Sequence, residues 1–318
     1  MKRRTFVGVV AALVTASVAA QTAQRPRRVG LLGGGTVPKT VLADELARYG
    51  WTEGRNVIIE RRGAEGDAQR ARLLAAELVR LNVDVIVAFG AVASLAARDA
   101  THTIPIVSTT GDPVVLGLVA SLSHPGGNIT GTTTVSPELS AKRLEMLRTL
   151  LPNVVKVAEL VDPANEYVRR TRSDYEQTFR ALGMQPIFID VAGQTELSRA
   201  LEEVSRQRAE ALIVRGDPVF WSNREQIVRF ATQRALPLMT EGRDYVEAGA
   251  LASYAPNQIA MRLRTAALVD KILRGAKPAN LPIEQPTEFE VVINLKTAKA
   301  LGLDIPVSVR NRADVVIE

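Results

Sequence analysis

No cysteine occurs in the 318 residues. That absence removes a disulfide framework, a thiolate nucleophile, a Cys-ligated zinc or iron-sulfur centre and a thioether lipid anchor. Histidine is almost as scarce. With only His102 and His124, a multi-histidine metal site is out of reach, and both stand in loop-like contexts without a sequence partner for acid-base work. Aromatic residues make up 4% of the chain, too few for the ring platforms expected of a sugar site. Charge of one sign is short as well. The formal net charge is +6, and Lys2, Arg3 and Arg4 supply half of it, so the remaining +3 leaves no footprint for a nucleic-acid backbone.

The common catalytic signatures are missing too. Gly33-Gly34-Gly35-Thr36-Val37-Pro38-Lys39-Thr40 begins like a phosphate loop, but Pro38 stands where that loop needs glycine; it has no N–H to offer and fixes φ. The same proline breaks the dinucleotide fingerprint. No Gly-x-Ser-x-Gly elbow and no His-Glu-x-x-His occurs. No cofactor is implied, and the reading disfavours an enzyme.

What is present starts at the N-terminus. A positive segment to Arg4 leads into the apolar residues 6–20, which close on Ser17-Val18-Ala19-Ala20. This is the pattern of a secretory signal, with cleavage expected after Ala19, Ala20 or Ala23, so residues 1–23 should be absent from the mature chain. Arg3-Arg4-Thr5-Phe6 also resembles the twin-arginine pattern, although paired basic residues are common in ordinary signals. A membrane helix needs about 20 apolar residues, and no later run reaches that length. The mature protein is therefore expected to be exported and soluble, not a lipoprotein, and periplasmic in a bacterium with an outer membrane.

From Arg27 onward, short β-branched runs alternate with longer amphipathic runs, the signature of βαβ units and parallel sheets. Residues 29–32, 56–60, 84–89, 104–108 and 129–134 read as strands, with helices at 41–49, 67–81 and 92–100 and a short one from Pro113. The pattern then restarts, with strands at 155–161, 186–191, 211–214 and 236–240 and helices at 167–182, 196–207 and 224–234. Two successive halves of this kind argue for an α/β protein of two doubly wound, Rossmann-like lobes. Gly111-Asp112-Pro113-Val114 and Gly216-Asp217-Pro218-Val219 each follow a strand, and Val161-Asp162-Pro163 echoes them. Asp and Pro in this order cap a helix. The same loops lie at strand carboxyl ends, where open parallel sheets bind ligands.

Specific residues carry a resemblance in their order. Gly50-Trp51-x-Glu53-Gly54-x-Asn56, Ile104-Pro105-Ile106-Val107, Gly111-Asp112-Pro113-Val114 and the run from Leu122 through His124-Pro125-Gly126-Gly127-Asn128 to Gly131 lie in the first half. Ser253-Tyr254-x-Pro256 and the run from Ile293-Asn294-Leu295-Lys296 to Gly302 lie in the second. The set resembles the ABC transporter substrate-binding protein family that includes tryptophan- and tyrosine-binding members, with the type I periplasmic-binding fold. The resemblance implies a small-molecule ligand between the lobes, an ABC permease as partner, a monomer, and no chemistry of its own. It also implies a hinge crossed more than once. Lobe 1 is expected to take residues 26–134 and 250–278, and lobe 2 residues 135–249 and 279–318.

Candidate ligand residues on the first lobe are Gly34, Gly35 and Thr36, then Phe89 and Gly90, then Thr109, Thr110 and Asp112. Their N–H and hydroxyl donors suit a carboxylate. On the second lobe they are Asp162, Asn165, Asp217 and Glu241, whose carboxylates suit an ammonium. Tyr254 is expected beside the cleft, and with Phe89 it could offer a stacking surface. For each, the alternative is plain loop structure or capping. The expected ligand is an amino acid or related carboxylate, with an aromatic side chain as the narrower expectation. A periplasmic sensor subunit and an exported enzyme on the same fold are the competing classes.

Overall fold

A computed structural model describes residues 25–35, 37–134 and 137–318. The expected signal segment and Thr36 lie outside the described residues. In the first half the elements are β1 (Arg27–Gly33), α1 (Ala43–Ala47), β2 (Val57–Gly63), α2 (Ala68–Arg80), β3 (Val85–Phe89), α3 (Ala91–Ala100), β4 (Ile106–Thr110) and β5 (Ile129–Thr133). The strands form an all-parallel sheet in the order β2-β1-β3-β4-β5. Strands covered on both faces are apolar without alternation, and Val85 to Ala88 accordingly are all buried. Asp67 starts α2 by accepting from Gln69 N at 2.7 Å and Arg70 N at 3.1 Å. Gly131 permits the close pairing of β5 with β4: its φ is +153°, and a Cβ there would lie 1.8 Å from the Ser108 carbonyl oxygen.

The second half continues with α4 (Pro137–Leu150), β6 (Lys156–Val161), α5 (Glu166–Ala181), β7 (Gln185–Asp190), α6 (Leu197–Arg206), β8 (Ala211–Val214), α7 (Pro218–Ser222), α8 (Arg224–Gln233), β9 (Leu238–Thr240), α9 (Arg243–Glu247) and β10 (Ala252–Pro256). It closes with α10 (Gln258–Leu273), β11 (Phe289–Asn294), α11 (Leu295–Ala300), α12 (Val307–Arg310) and β12 (Val315–Ile317). Seven of these strands form a sheet in the order β12-β11-β10-β9-β8-β6-β7, parallel except where β10 meets β11. Helix α6 shows how the pattern buries one face: Leu197, Ala200, Leu201 and Val204 recur at helical spacing and are all buried.

Three expectations change. The residues after Pro113 make one tight turn, Leu116 N to Asp112 O at 3.1 Å, and not a helix, because Gly117 at φ +68° ends it. Helix α4 had no counterpart in the sequence reading, since its inward face carries the fully buried Arg143 among Leu139, Leu144 and Leu147. The return crossing also moves. Strand β10 pairs with β9 and β11, so the second sheet keeps residues 252–256, and the return falls at Asn257 instead of Ala250. Helix α10 then packs Ala266, Val269 and Ile272 against Val29, Val85 and Val107 of the first sheet. Residues 281–284 stay with that lobe as well, through Glu284 N to Gly131 O at 2.9 Å and Thr133 N to Glu284 O at 3.0 Å. The last crossing therefore follows Glu284, inside the proline-bearing stretch 279–286 where it is expected although past the start of lobe 2 at 279, and Tyr254 lies within β10.

Candidate functional site

The carboxyl ends of the two sheets meet. Tyr167, in the first turn of α5, lays its ring over Gly111 so closely that a Cβ on that glycine would be 3.2 Å from it. A Cβ on Gly66 would lie 2.7 Å from Val219, and Arg170 Nη1 donates to Val115 O at 2.8 Å. Val161, Tyr167 and Val168 share an apolar cluster with Leu32, Ala91 and Leu116 of the first lobe. The cleft is thus the seam between strand-end loops of the two lobes.

On the first lobe, Gly34 O accepts from Gly66 N at 2.7 Å, and Gly34 N lies 3.4 Å from Phe89 O. Gly35 is half-buried beside them. The Phe89 ring is not at the seam: it packs with Val29, Val87 and α10 on the far face of the sheet. Thr109 faces the same way, its Oγ1 3.3 Å from Thr265 Oγ1 and 3.1 Å from Thr132 Oγ1. Gly90 precedes α3 with φ +87° and supplies no side-chain cap. Thr110 is 2% exposed, and its hydroxyl has no hydrogen-bond partner among the described residues. Asp112 turns its carboxylate onto its own turn, accepting from Val114 N at 2.8 Å and Val115 N at 3.1 Å.

On the second lobe, Asp162, Asn165 and Asp217 come together. Asn165 Nδ2 donates to Asp217 Oδ2 at 2.9 Å, and Asp217 Oδ1 caps α7 through Val219 N at 2.9 Å. Asp162 accepts from Ala164 N at 2.8 Å. All three are buried. Burial raises the Asp162 carboxyl above its ordinary range, and burial together with the charge of Asp162 pushes Asp217 up to about 6. Glu241 is already engaged: its Oε1 is 2.6 Å from Arg143 Nη1, an ion pair out of hydrogen-bond alignment, and its Oε2 accepts from Gly216 N at 2.9 Å. Tyr254 is placed by its backbone, its carbonyl accepting from Arg143 Nε at 2.8 Å, while its ring packs 5.9 Å from that of Phe289.

Sequence reasoning missed the groups that organise this floor. Arg215, directly after β8, donates from Nε to Glu159 of β6 at 2.5 Å and lies 4.5 Å from the Tyr175 ring centroid. Arg143 and Arg215 are therefore each matched by one glutamate, and Asp162 and Asp217 make no ion pair among the described residues, although the charge of Arg215 still favours ionised Asp217. Tyr167 was missed as well. Burial pushes its phenol up to about 12, so it faces the seam as a neutral group. An arginine interrupting an apolar helical pattern at residue 143 was the available signal for the first of these. Among the described residues no group of three His, Asp or Glu stands together to hold a metal ion, and no helix is long and apolar enough to cross a membrane.

A family model described as ABC transporter substrate binding protein matches residues 39–317. A tyrosine-binding protein of Clostridioides difficile is 27% identical over 271 residues, covering 81% of this chain and 74% of that protein. The crystal structure of a conserved domain protein from Vibrio cholerae superposes with a TM-score of 0.86 at 27% identity, over 92% of this chain and all of the other. That of an ABC domain from Streptococcus pneumonia in complex with L-Trp gives 0.84 at 26% identity, with the same coverage. The two-lobed architecture is that of the type I periplasmic-binding fold.

Proposed function

The chain belongs to the ABC transporter substrate binding protein family, and we propose that it is the periplasmic receptor of an importer, closing its two lobes on an amino acid or a related zwitterion. The observation that carries this reading is the buried Asp162 and Asp217 pair at the strand ends of the second lobe, which makes no ion pair among the described residues while Arg143 and Arg215 are each paired with a glutamate. An ammonium group supplies the missing charge. Donors on the first lobe suit the opposite pole. The tyrosine-binding relative and the L-Trp complex support the same ligand class. Support for an aromatic side chain now comes from those relatives and from the Tyr167 ring, since Phe89 and Tyr254 turn their rings into core packing. The reading assigns the chain no catalytic step; its work is capture and presentation to a permease.

Calorimetry on the Asp217→Asn variant tests the ammonium assignment. A charge-assisted hydrogen bond is worth about 1.5 to 3 kcal/mol, so amino-acid affinity should fall by roughly tenfold to a hundredfold. Unchanged affinity would reduce Asp217 to a helix cap.

A further inference from the structure

Strand β7 ends the second sheet, and among the described residues no strand pairs with its outer side. Gln185 N and Val191 N donate to Val155 O and Val161 O at 2.7 and 2.8 Å. Alternation along the strand therefore turns the backbone of Pro186, Phe188 and Asp190 away from β6. An edge of this kind is a template for another chain.

Helix α6 flanks the same edge. Its apolar residues face the sheet, and on one flank Ser198 Oγ accepts from Gln226 Nε2 of α8 at 2.9 Å. The other flank carries Glu196, Arg199, Glu203 and Arg206 at helical spacing, and with Ile187 and Phe188 of β7 it lines an open groove of about 280 Å³. Glu203 is held within the helix, 2.6 Å from Arg206 Nη2 and 2.6 Å from Gln207 Nε2. Among the described residues Glu196 and Arg199 make no ion pair.

The order of these charges says what fits. Laid antiparallel on itself about a two-fold axis level with Leu201, the flank sets Glu196 against Arg206 of the second copy and Arg199 against Glu203, so every contact is unlike. A slide of one turn brings Glu196 to Glu203 or Arg199 to Arg206, and like charges then oppose it. The same operation lays β7 beside itself at Phe188. Each Phe188 N–H then meets the Phe188 carbonyl of the second copy, each Asp190 N–H meets a Pro186 carbonyl, and only the donor that proline lacks is missing from the ladder. The two Phe188 rings become cross-strand neighbours, each already flanked by Arg172 at 4.4 Å.

We propose that the chain forms a two-fold dimer through β7 and α6, in which the seven-stranded sheets of two copies run on into one. This departs from the monomer that the family resemblance implies. The contact is made by residues of the second lobe alone, so it does not depend on a ligand.

Sedimentation equilibrium of the purified protein, with and without added salt, tests it. Wild type should dimerise reversibly, and more weakly as salt is raised. Arg199→Glu and Glu203→Arg should each raise the dimer dissociation constant about tenfold or more. The double variant carrying both changes should return it to within about threefold of wild type. That rescue is specific to the contact, because the pair that Glu203 makes with Arg206 inside the helix stays lost in the double variant. A monomer at every concentration up to the solubility limit, a dimer that the single variants leave unchanged, or a loss that the double variant does not recover would each overturn the interface.

Discussion

Asp217 serves two ends with one carboxylate. It caps α7 through Val219 N, and it stands buried near Asp162 with no ion-pair partner among the described residues. The cost of the second arrangement shows in its carboxyl, pushed up to about 6 from 3.8 by burial and by the neighbouring acid. The folded, ligand-free protein holds this proton between those two values while the unfolded chain has begun to release it. Stability from Asp217 is therefore fully present below about pH 4 and is lost as pH rises through 6. Asp217→Asn removes that dependence, so its stability relative to wild type should improve by about 1 to 3 kcal/mol between pH 4 and pH 7.5. The change with pH is diagnostic, because the new amide also faces that of Asn165 and carries a constant penalty. Thermal denaturation of both proteins across that range checks it; a difference independent of pH would refute the assignment. An ammonium ligand favours the ionised acid, so its affinity should rise with pH over the same interval.

At the scale of elements, Arg143 ties α4 to two strands, holding Glu241 after β9 and the Tyr254 carbonyl within β10. Its side chain is fully buried. Removing one partner of a buried ion pair costs about 3 to 5 kcal/mol, because the other charge is left without compensation. Arg143→Met should lose stability on that scale in urea denaturation, and adding Glu241→Gln should recover much of it. A single variant as stable as wild type would mean that the pair contributes little. The same residue explains why α4 was hard to read. Leu139, Leu144 and Leu147 mark its inner face, but a charge sits among them, and periodicity alone counts that charge as solvent. Strand β3 of the first sheet was legible because both of its faces are covered and Val85 to Ala88 are apolar without interruption. Asp162, Asn165 and Asp217 were legible as strand-end loop residues. Their mutual contact was not, since it joins loops 52 residues apart. Phe89 and Tyr254 were misplaced for one reason: loop proximity says nothing about which face of a strand a ring takes.

For the whole molecule, the crossings near 134, at Asn257 and after Glu284 leave two lobes that touch through Gly111 and Tyr167, Gly66 and Val219, and Val115 and Arg170. Gly111 has room for no side chain without displacing the Tyr167 ring. Gly111→Val should therefore hinder closure while sparing each lobe, weakening ligand roughly tenfold, about 1.4 kcal/mol. Its ligand-saturated radius of gyration in small-angle scattering should exceed that of liganded wild type, and identical radii would place closure elsewhere. The central claim is that the seam holds an amino acid through an ammonium at Asp162 and Asp217. Mass spectrometry of the small molecules released on denaturing the purified protein tests it most directly. The account predicts one α-amino acid in equimolar amount from wild type and its loss from Asp217→Asn; a sugar, or an amino acid retained undiminished by the variant, would contradict it.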